Sequence, residues 1–221
     1  IWEKYLGLVK LLDDEVGRVI NVLKEEGLYD KALILFTSDH GEMLGSHSLW
    51  QKMCMYEESA RVPFIMKLPS KIKTSINSSD QLISLVDFLP TVLDLNGMKA
   101  LKQTDGHSLL PVVQGGALPR ESVFIQYDGN GSLGSAQRCI IKGDYKLIVD
   151  MFKDEQFIEV YDLKKDSQET VNLAFDRSYD EKTKSLIQEL SSSMKKAGDR
   201  LTLSDNLFVQ FISKYKNGIQ K

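Results

Sequence analysis

The chain is constrained most by a short apolar run, Ala32 to Phe36, that stops at a polar stretch, Thr-Ser-Asp-His-Gly-Glu at residues 37–42. A run this short, without alternation, is typical of a strand buried on both faces, as in a parallel sheet covered by helices. In open α/β sheets, ligands bind just beyond the carboxyl ends of the strands. Asp39 and His40 therefore stand where a site is expected, and Gly41 allows a sharp turn after them.

The residue types at this strand end favour a metal or anion site. Taken singly, Asp39 is typical of a loop cap and His40 of a structural histidine. Together, with His47 and Lys52 following within one loop, they favour a functional site, because a carboxylate and a neutral imidazole can share a cation. The lysine ammonium can neutralise an oxyanion without a fixed approach angle.

The first half of the chain has the pattern of an α/β fold. Residues 1–27 carry apolar side chains at helical spacing, and Gly27 stands where such a helix would end. A helix that leads directly into a buried strand is half of an α/β crossover unit. A second apolar run, Val62 to Leu68, is expected to return to the sheet. Further on, Asp87 is predicted to cap a helix that has Pro90 in its first turn.

The second half has the pattern of a small antiparallel sheet followed by a helix. Strands are predicted at Val123–Tyr127, Gln137–Ile141, Tyr145–Val149 and Phe157–Tyr161, with Gly143-Asp144 as a hairpin turn. Ser178 to Glu181 is a capping-box pattern, and an apolar helix face follows at Leu186, Ile187, Leu190 and Met194. The segment Gln114–Pro119 has the composition of a linker, so a boundary is predicted between residues 116 and 117.

Composition and charge argue against two classes of partner. The net charge is −3, whereas nucleic-acid binding favours a basic face. No apolar run approaches the ~20 residues of a membrane span, so neither nucleic acid nor a membrane span is expected. The cysteines, Cys54 and Cys139, do not fix the redox compartment.

The polar stretch at residues 37–42 is followed by a series of further short motifs in a fixed order. Downstream stand Gly45-Ser46-His47, Trp50-Gln51-Lys52, the octet Tyr56–Pro63, Asp87-Phe-Leu-Pro-Thr91, Asp105-Gly-His-Ser-Leu109 and Tyr161-Asp-Leu163. The series resembles the second half of a type I sulfatase, a member of the alkaline-phosphatase-like superfamily. The resemblance implies part of an alkaline-phosphatase-like α/β sheet with helices at 1–116. It also implies a small α+β subdomain at 117–221, with a four-stranded antiparallel sheet and a helix.

The resemblance also implies roles for single residues. Asp39 and His40 take the positions of metal ligands, and the ion in sulfatases is usually Ca²⁺. Because calcium prefers oxygen donors, the histidine leaves Mn²⁺ or Zn²⁺ open, as in phosphatase relatives. Lys52 takes the position of a lysine that contacts the sulfate oxygens, and His47 that of a polar residue near the pocket. Both are predicted catalytic positions. His107 is a further substrate-binding candidate, against the alternative of an exposed turn histidine.

The chain departs from sulfatases in its nucleophile. Sulfatases make formylglycine from a Cys or Ser in the pattern Cys/Ser-x-Pro-x-Arg, which neither Cys54 nor Cys139 nor any serine here matches. The paired N-terminal aspartates are missing too. We therefore expect the C-terminal portion of a longer sulfuric ester hydrolase, inactive by itself. Its expected partners are its own N-terminal part and a sulfated small molecule or carbohydrate. The family resemblance suggests a periplasmic, extracellular or lysosomal-type compartment.

Two other functions stay open from the sequence. A phosphatase or phosphonate hydrolase of the same superfamily would have an upstream Thr or Ser nucleophile without the formylglycine pattern. A non-catalytic binding module would be indicated by a reading frame that begins near Ile1.

Overall fold

The computed structural model describes residues 1–99, 103–129, 134–153 and 155–216. These residues form two compact units. One combines Ile1–Lys52 with Glu58–Ser75, and the other combines Met53–Glu57 with the chain from Ile76 onward. The division into domains at 1–116 and 117–221 stays a prediction.

The first unit begins with the predicted helix, α1 (Trp2–Glu25). Gly27 has a φ of 63°. The amide of Leu28 donates to the carbonyl of Leu23 at 2.8 Å, and that of Gly27 donates to Lys24 at 3.1 Å. These two bonds form a Schellman motif, which glycine favours because it has no Cβ. The predicted helix end is therefore confirmed.

The strand after this helix differs from the sequence expectation. β1 (Ile34–Thr37) pairs with β2 (Phe64–Lys67) in antiparallel register, with Ile34 opposite Lys67 and Thr37 opposite Phe64. All of β1 is half-buried in the chain. The expectation of a buried strand with parallel neighbours is thus wrong for the part of the chain that the structure describes. An apolar run shows that a strand avoids water, but it does not fix the direction of the neighbouring strand.

The second unit is built on a four-stranded antiparallel sheet in the order β3-β4-β5-β6. Its strands are β3 (Ser122–Tyr127), β4 (Ala136–Lys142), β5 (Tyr145–Met151) and β6 (Gln156–Asp162). All four predicted strands are confirmed, and Gly143, with a φ of 58°, turns the β4–β5 hairpin as expected. The helix after the sheet, α5 (Asp180–Lys196), is also confirmed.

The core of this unit lies between one face of the sheet and two helices, α5 and α6 (Leu207–Phe211). Alternate residues of the central strands face it, because successive side chains of a strand point to opposite faces. Its buried members are Ile140, Leu147, Val149, Met151, Ile158, Val160, Ala174, Leu186, Leu190, Met194, Leu207 and Phe211. The predicted apolar face of α5 is therefore the face that packs on the sheet.

Two shorter helices, α3 (Phe88–Leu95) and α4 (Leu110–Val113), precede the four-stranded sheet, and a further short helix, α2 (Glu57–Ala60), precedes β2.

Two helix caps that the sequence predicted are wrong. Ser84, not Asp87, caps the turn before α3, and Asp87 is its capping-box partner. Likewise Asp176, not Ser178, caps the turn before α5, since its carboxylate accepts from the Ser178 amide at 2.8 Å. In both places a short 3₁₀ turn starts before the α-helix and moves the cap upstream.

Within the described ranges, every helix is too short or too polar to cross a bilayer.

Candidate functional site

The paired donors Asp39 and His40 lie directly after β1. The carboxylate of Asp39 is 85% exposed, and the His40 ring is 40% exposed. His40 Nδ1 lies 2.9 Å from the carbonyl oxygen of Gly41, which can only accept, so the neutral ring carries its proton on Nδ1. Nε2 is then left with its lone pair, 3.6 Å from Asp39 Oδ2.

Those two atoms suit a shared cation. They lie 3.6 Å apart, so Asp39 and His40 could both contribute a ligand atom to one divalent cation. Burial acts to raise the pKa of Asp39. This is outweighed by the electrostatic interaction with the adjacent His40 ring and by hydrogen bonds from the His40 amide and Ser38, which lower the Asp39 pKa. The carboxylate is therefore ionised at neutral pH and available as a ligand.

The neighbouring Gly41 is required by a close approach, not by the sharp turn that its sequence position suggested. Its φ is outside the positive region in which glycine is favoured. A Cβ at this position would lie 1.9 Å from the carbonyl oxygen of Glu58. The Gly41 amide donates to the carbonyl of Ser59 at 2.8 Å. The chain after the donor pair is thus held directly against α2.

The same serine holds the predicted sulfate-contacting lysine. Ser59 is 4% exposed, and its hydroxyl donates to the backbone carbonyl of Lys52. Ser59 therefore bonds both the segment that carries the donor pair, through Gly41, and the backbone of Lys52. The side chain of Lys52 is exposed. The structure brings Asp39, His40 and Lys52 to one compact unit through this residue.

The loop between His40 and Lys52 is held by hydrogen bonds although several of its residues have strained backbone conformations. The Met43 amide donates to the carbonyl of Gln51 at 2.7 Å, and the Glu42 carboxylate accepts from the Gln51 amide at 2.6 Å. Four residues have positive φ without being glycine: Leu44 (48°), His47 (53°), Ser48 (60°) and Gln51 (71°). Such conformations cost about 1–3 kcal/mol each and cluster at functional sites. His47 lies in this strained loop and is half-buried.

His107 belongs to the second unit and is half-buried. Its amide donates to Asp87 Oδ1 at 2.8 Å. Asp87 is fully buried, and Arg120, with its side chain 9% exposed, binds both of its carboxylate oxygens. Gly106 permits this packing, because a Cβ there would lie 2.0 Å from the carbonyl oxygen of Val86. Asp87 thus fixes the turn that carries His107.

A complete metal centre is not found among the residues of ranges 1–99, 103–129, 134–153 and 155–216, where no three His, Cys, Asp or Glu side chains are grouped to hold an ion. The chemistry of Asp39 and His40 fits part of a divalent-cation site. Calcium requires six to eight oxygen ligands and zinc four ligands. Further ligands are needed in either case.

Sequence reasoning missed a buried lysine in β5. Lys146 is fully buried, and its ammonium lies 2.7 Å from Glu57 Oε1 and 2.8 Å from Glu169 Oε1. It also donates to the carbonyl of Met55 at 2.9 Å. A lysine between apolar neighbours in a strand could have signalled a buried ion pair. Its partners are far away in the sequence, however, and no spacing rule connects them.

The same face of the sheet carries a second polar cluster. The hydroxyl of Tyr56 donates to Glu159 Oε2 at 2.8 Å, and the Tyr161 hydroxyl donates to the same oxygen. Gln137 Nε2 donates to Asp150 Oδ1 at 2.5 Å. Burial and the negative charge of Glu159 raise the pKa of Asp150 to about 7, against the bond from Gln137. This carboxyl therefore titrates near neutral pH.

Comparison with known proteins connects these features to one family. The family described as "N-sulphoglucosamine sulphohydrolase, C-terminal" matches residues 45–196. An N-acetylglucosamine-6-O-sulfatase of Bacteroides thetaiotaomicron is 36% identical over 202 residues, which are 88% of this chain and 36% of that protein.

Solved structures agree with the sequence comparison. One, described as a complex with its substrate D-glucosamine-2-N,6-O-disulfate, has a TM-score of 0.74 and 33% identity, covering 87% of this chain and 40% of that one. The phosphonate monoester hydrolase of Agrobacterium radiobacter has a TM-score of 0.73 and 27% identity, covering 83% of this chain and 39% of that one. The chain spans about two-fifths of the length of these relatives. The fold is that of the alkaline-phosphatase-like superfamily, and the chain belongs to the sulfatases, in the N-sulphoglucosamine sulphohydrolase C-terminal family.

Proposed function

We propose that this chain is the C-terminal part of a sulfuric ester hydrolase and supplies part of its active site. Asp39 and His40 donate two ligand atoms to a divalent cation, and Lys52 contacts the sulfate group. The observation that carries the proposal is the bonding of Ser59, which joins the segment of the donor pair and the backbone of Lys52 in one unit. Membership of a sulfatase family supports the reaction class.

Each residue has a defined chemical task in this proposal. A cation held in part by Asp39 and His40 would supply positive charge that polarises the sulfate oxygens. The Lys52 ammonium adds charge at another oxygen, and such electrostatic stabilisation of the transition state commonly contributes more to catalysis than any other effect. Asp39 stays ionised because its pKa is lowered. The bond from His40 Nδ1 to the Gly41 carbonyl orients the ring, with Nε2 3.6 Å from Asp39 Oδ2.

The other predicted residues keep subordinate roles. His47 is proposed to act near the reacting group from the strained loop, and His107 to contact the substrate. Ca²⁺ is the proposed ion because of the family resemblance. The imidazole donor makes Mn²⁺ or Zn²⁺ the alternatives.

The nucleophile and the remaining ligands are proposed to come from the N-terminal part of a longer polypeptide. The sequence contains no Cys/Ser-x-Pro-x-Arg pattern, so this chain by itself is expected to catalyse no turnover. A sulfated carbohydrate is the proposed substrate class, supported by the disulfated glucosamine bound to a similar structure. A periplasmic, extracellular or lysosomal-type compartment is the proposed location, on the family resemblance.

Sulfate release tests this proposal. The complete polypeptide that carries this chain should release inorganic sulfate from N-acetylglucosamine 6-sulfate, and the isolated chain of residues 1–221 should not. Chelation should stop the reaction, and added Ca²⁺, Mn²⁺ or Zn²⁺ should identify the ion by recovery. Asp39→Ala should lower both the bound metal and the rate. A complete polypeptide that retains its full rate after chelation and in Asp39→Ala would contradict the assignment of the donor pair.

Phosphonate monoester hydrolysis is the second candidate, because a phosphonate monoester hydrolase is similar in both fold and sequence. The same polypeptide should be assayed with phenyl phosphonate monoesters in parallel. Faster turnover of these esters than of the sulfate ester would favour the second candidate. A non-catalytic binding role would be favoured if the complete polypeptide hydrolysed neither ester.

A further inference from the structure

Lys146 holds one short segment of the chain. Its ammonium contacts the Glu57 carboxylate at 2.7 Å and the Met55 carbonyl at 2.9 Å. Both partners lie in the segment Met53–Glu57, which belongs to the same compact unit as the sheet. The third contact, 2.8 Å to Glu169, comes from the turn after β6. We call Lys146, Glu57 and Glu169 the lysine clamp.

The lysine clamp is largely buried. The side chains of Lys146 and Glu169 are fully buried, and that of Glu57 is 15% exposed. Burial acts to lower the pKa of Lys146, but electrostatic interactions with Cys139, Glu169 and Glu57 raise it above the ordinary value, so the ammonium stays charged. Glu169 Oε2 also accepts from the Glu57 amide at 2.6 Å. A buried charge with these partners resists displacement, because losing any one leaves another unpaired.

Glu169 occupies its place against a backbone preference. Its φ is 53°, in the region that residues with a Cβ seldom adopt. The turn that holds it is fixed by Asp166, whose carboxylate accepts from the Val171 amide at 2.9 Å. Strain of this kind persists where the surroundings determine it. Here the surroundings are the ion pair with the Lys146 ammonium and the hydrogen bond from the Glu57 amide.

The clamped segment is continuous with the sulfate-contacting lysine. Lys52 immediately precedes Met53, and Ser59 follows shortly after Glu57. The Ser59 hydroxyl donates to the Lys52 carbonyl. The stretch from Lys52 to Ser59 is therefore a short loop that is closed at its ends by one hydrogen bond. The lysine clamp grips it at Met55 and Glu57.

We propose that Lys146 is a positioning residue for Lys52, acting through the segment Met53–Glu57. The inference rests on the proposed function, because it assumes that Lys52 contacts the sulfate group. A clamp on this loop fixes the backbone from which the long Lys52 side chain extends. Placement errors of about 1 Å can cost about a hundredfold in rate.

A double-mutant cycle tests the clamp. Glu57→Gln removes the negative charge that faces Lys146. It leaves the hydrogen bond from the backbone amide of residue 57 to Glu169, and it leaves the Lys146–Glu169 ion pair. In the complete polypeptide, kcat/KM for N-acetylglucosamine 6-sulfate should fall between about tenfold and a hundredfold. In the Lys52→Ala background the same substitution should cause little further loss. Amide hydrogen exchange in the peptide 52–59 should become faster.

A matched control separates positioning from general destabilisation. Asp199→Asn breaks another buried pair of the same sheet, with Arg138, whose side chains are 3% and 2% exposed. It should lower the melting temperature, leave kcat/KM unchanged where the protein is folded, and leave the exchange of peptide 52–59 unchanged. Glu169→Gln is the second clamp variant, in case Glu57→Gln fails to fold, and should repeat the non-additive result.

The outcomes distinguish the two levels of the proposal. A loss in Lys52→Ala together with unchanged kcat/KM in both clamp variants would overturn the clamp and leave the proposed function standing. Fully multiplicative losses of clamp and Lys52 variants would do the same. Unchanged kcat/KM in Lys52→Ala would overturn both. Non-additive losses with faster exchange support the clamp.

Discussion

Substituting Gly41 by alanine tests the close approach that joins the donor pair to α2. A Cβ on Gly41 would lie 1.9 Å from the Glu58 carbonyl oxygen, whereas real Cβ contacts are essentially never shorter than 3.0 Å. The two segments must therefore separate by about 1 Å. A shift of that size would lengthen the 2.8 Å bond from the Gly41 amide to Ser59 beyond hydrogen-bonding range.

The magnitude follows from the two losses. A lost hydrogen bond costs about 1 kcal/mol, and overpacking costs about 1–3 kcal/mol. Gly41→Ala should therefore lower the free energy of unfolding by about 2–4 kcal/mol. The displaced segment carries Asp39 and His40, so kcat/KM of the complete polypeptide should fall about a hundredfold.

Urea unfolding and sulfate release measure the two effects. Gly17→Ala in α1 is the control, because nothing lies within 4 Å of its Cβ position. In a helix this change should stabilise by up to about 1 kcal/mol. A Gly41→Ala protein with wild-type stability and wild-type kcat/KM would refute the close-approach argument.

Three other predictions concern the second unit. Asp87→Asn should cost about 3–5 kcal/mol at pH 7, because it leaves the buried Arg120 unpaired. Burial acts to raise the Asp87 pKa, but bonds from Arg120, His107 and Ser84 lower it, so its stabilisation is present above the unfolded pKa and lost as pH falls through the folded pKa. Asp150 has its pKa raised to about 7, so stability should fall as pH rises from about 4 to 7; Asp150→Asn should remove this dependence and be more stable at pH 8. Leu190→Ala, at a fully buried core position, should cost about 2–5 kcal/mol.

Urea unfolding against pH provides the tests and their controls. Val209→Ala on α6, 64% exposed, should change stability by less than about 0.5 kcal/mol. Equal costs for Leu190→Ala and Val209→Ala would contradict the assignment of the core. If Asp150→Asn kept the wild-type dependence of stability on pH, another group would be its cause. If Asp87→Asn left the free energy of unfolding unchanged, Arg120 would have another partner.

Local sequence signals predicted most of the fold. The end of α1 followed from Gly27, and the four strands of the second unit followed from short apolar runs between turn residues. In each case the controlling interactions lie within a few residues along the chain. The antiparallel character of the sheet also followed, because short connections favour neighbouring antiparallel strands.

Features that depend on distant contacts were not predictable in the same way. The pairing of β1 with β2 depends on how the loop between them folds. The contact that requires Gly41 is made by Glu58, and the partners of Lys146 are Glu57 and Glu169. Sequence spacing carries no information on such approaches.

The candidate site likewise has features that local sequence signals predicted and features that depend on distant contacts. The residue types and their order along the chain were enough to select Asp39, His40 and Lys52 as site residues. The roles assigned to them stay predictions. The tautomer of His40 depends on the Gly41 carbonyl. The role of Ser59 depends on its hydrogen bonds with Gly41 and Lys52, which no sequence pattern predicts. Asp87 was predicted as a helix cap, because nothing local indicates that Arg120 folds back onto it.

The central claim is that Lys52 belongs to a sulfate-binding site, and its removal in the complete polypeptide is the most direct test. Lys73 is exposed in the same unit, so Lys73→Ala is the matched control for loss of a lysine charge. The account predicts that Lys52→Ala lowers kcat/KM for N-acetylglucosamine 6-sulfate by about a hundredfold or more, while Lys73→Ala leaves it unchanged. Equal values of kcat/KM for wild type, Lys52→Ala and Lys73→Ala would contradict it.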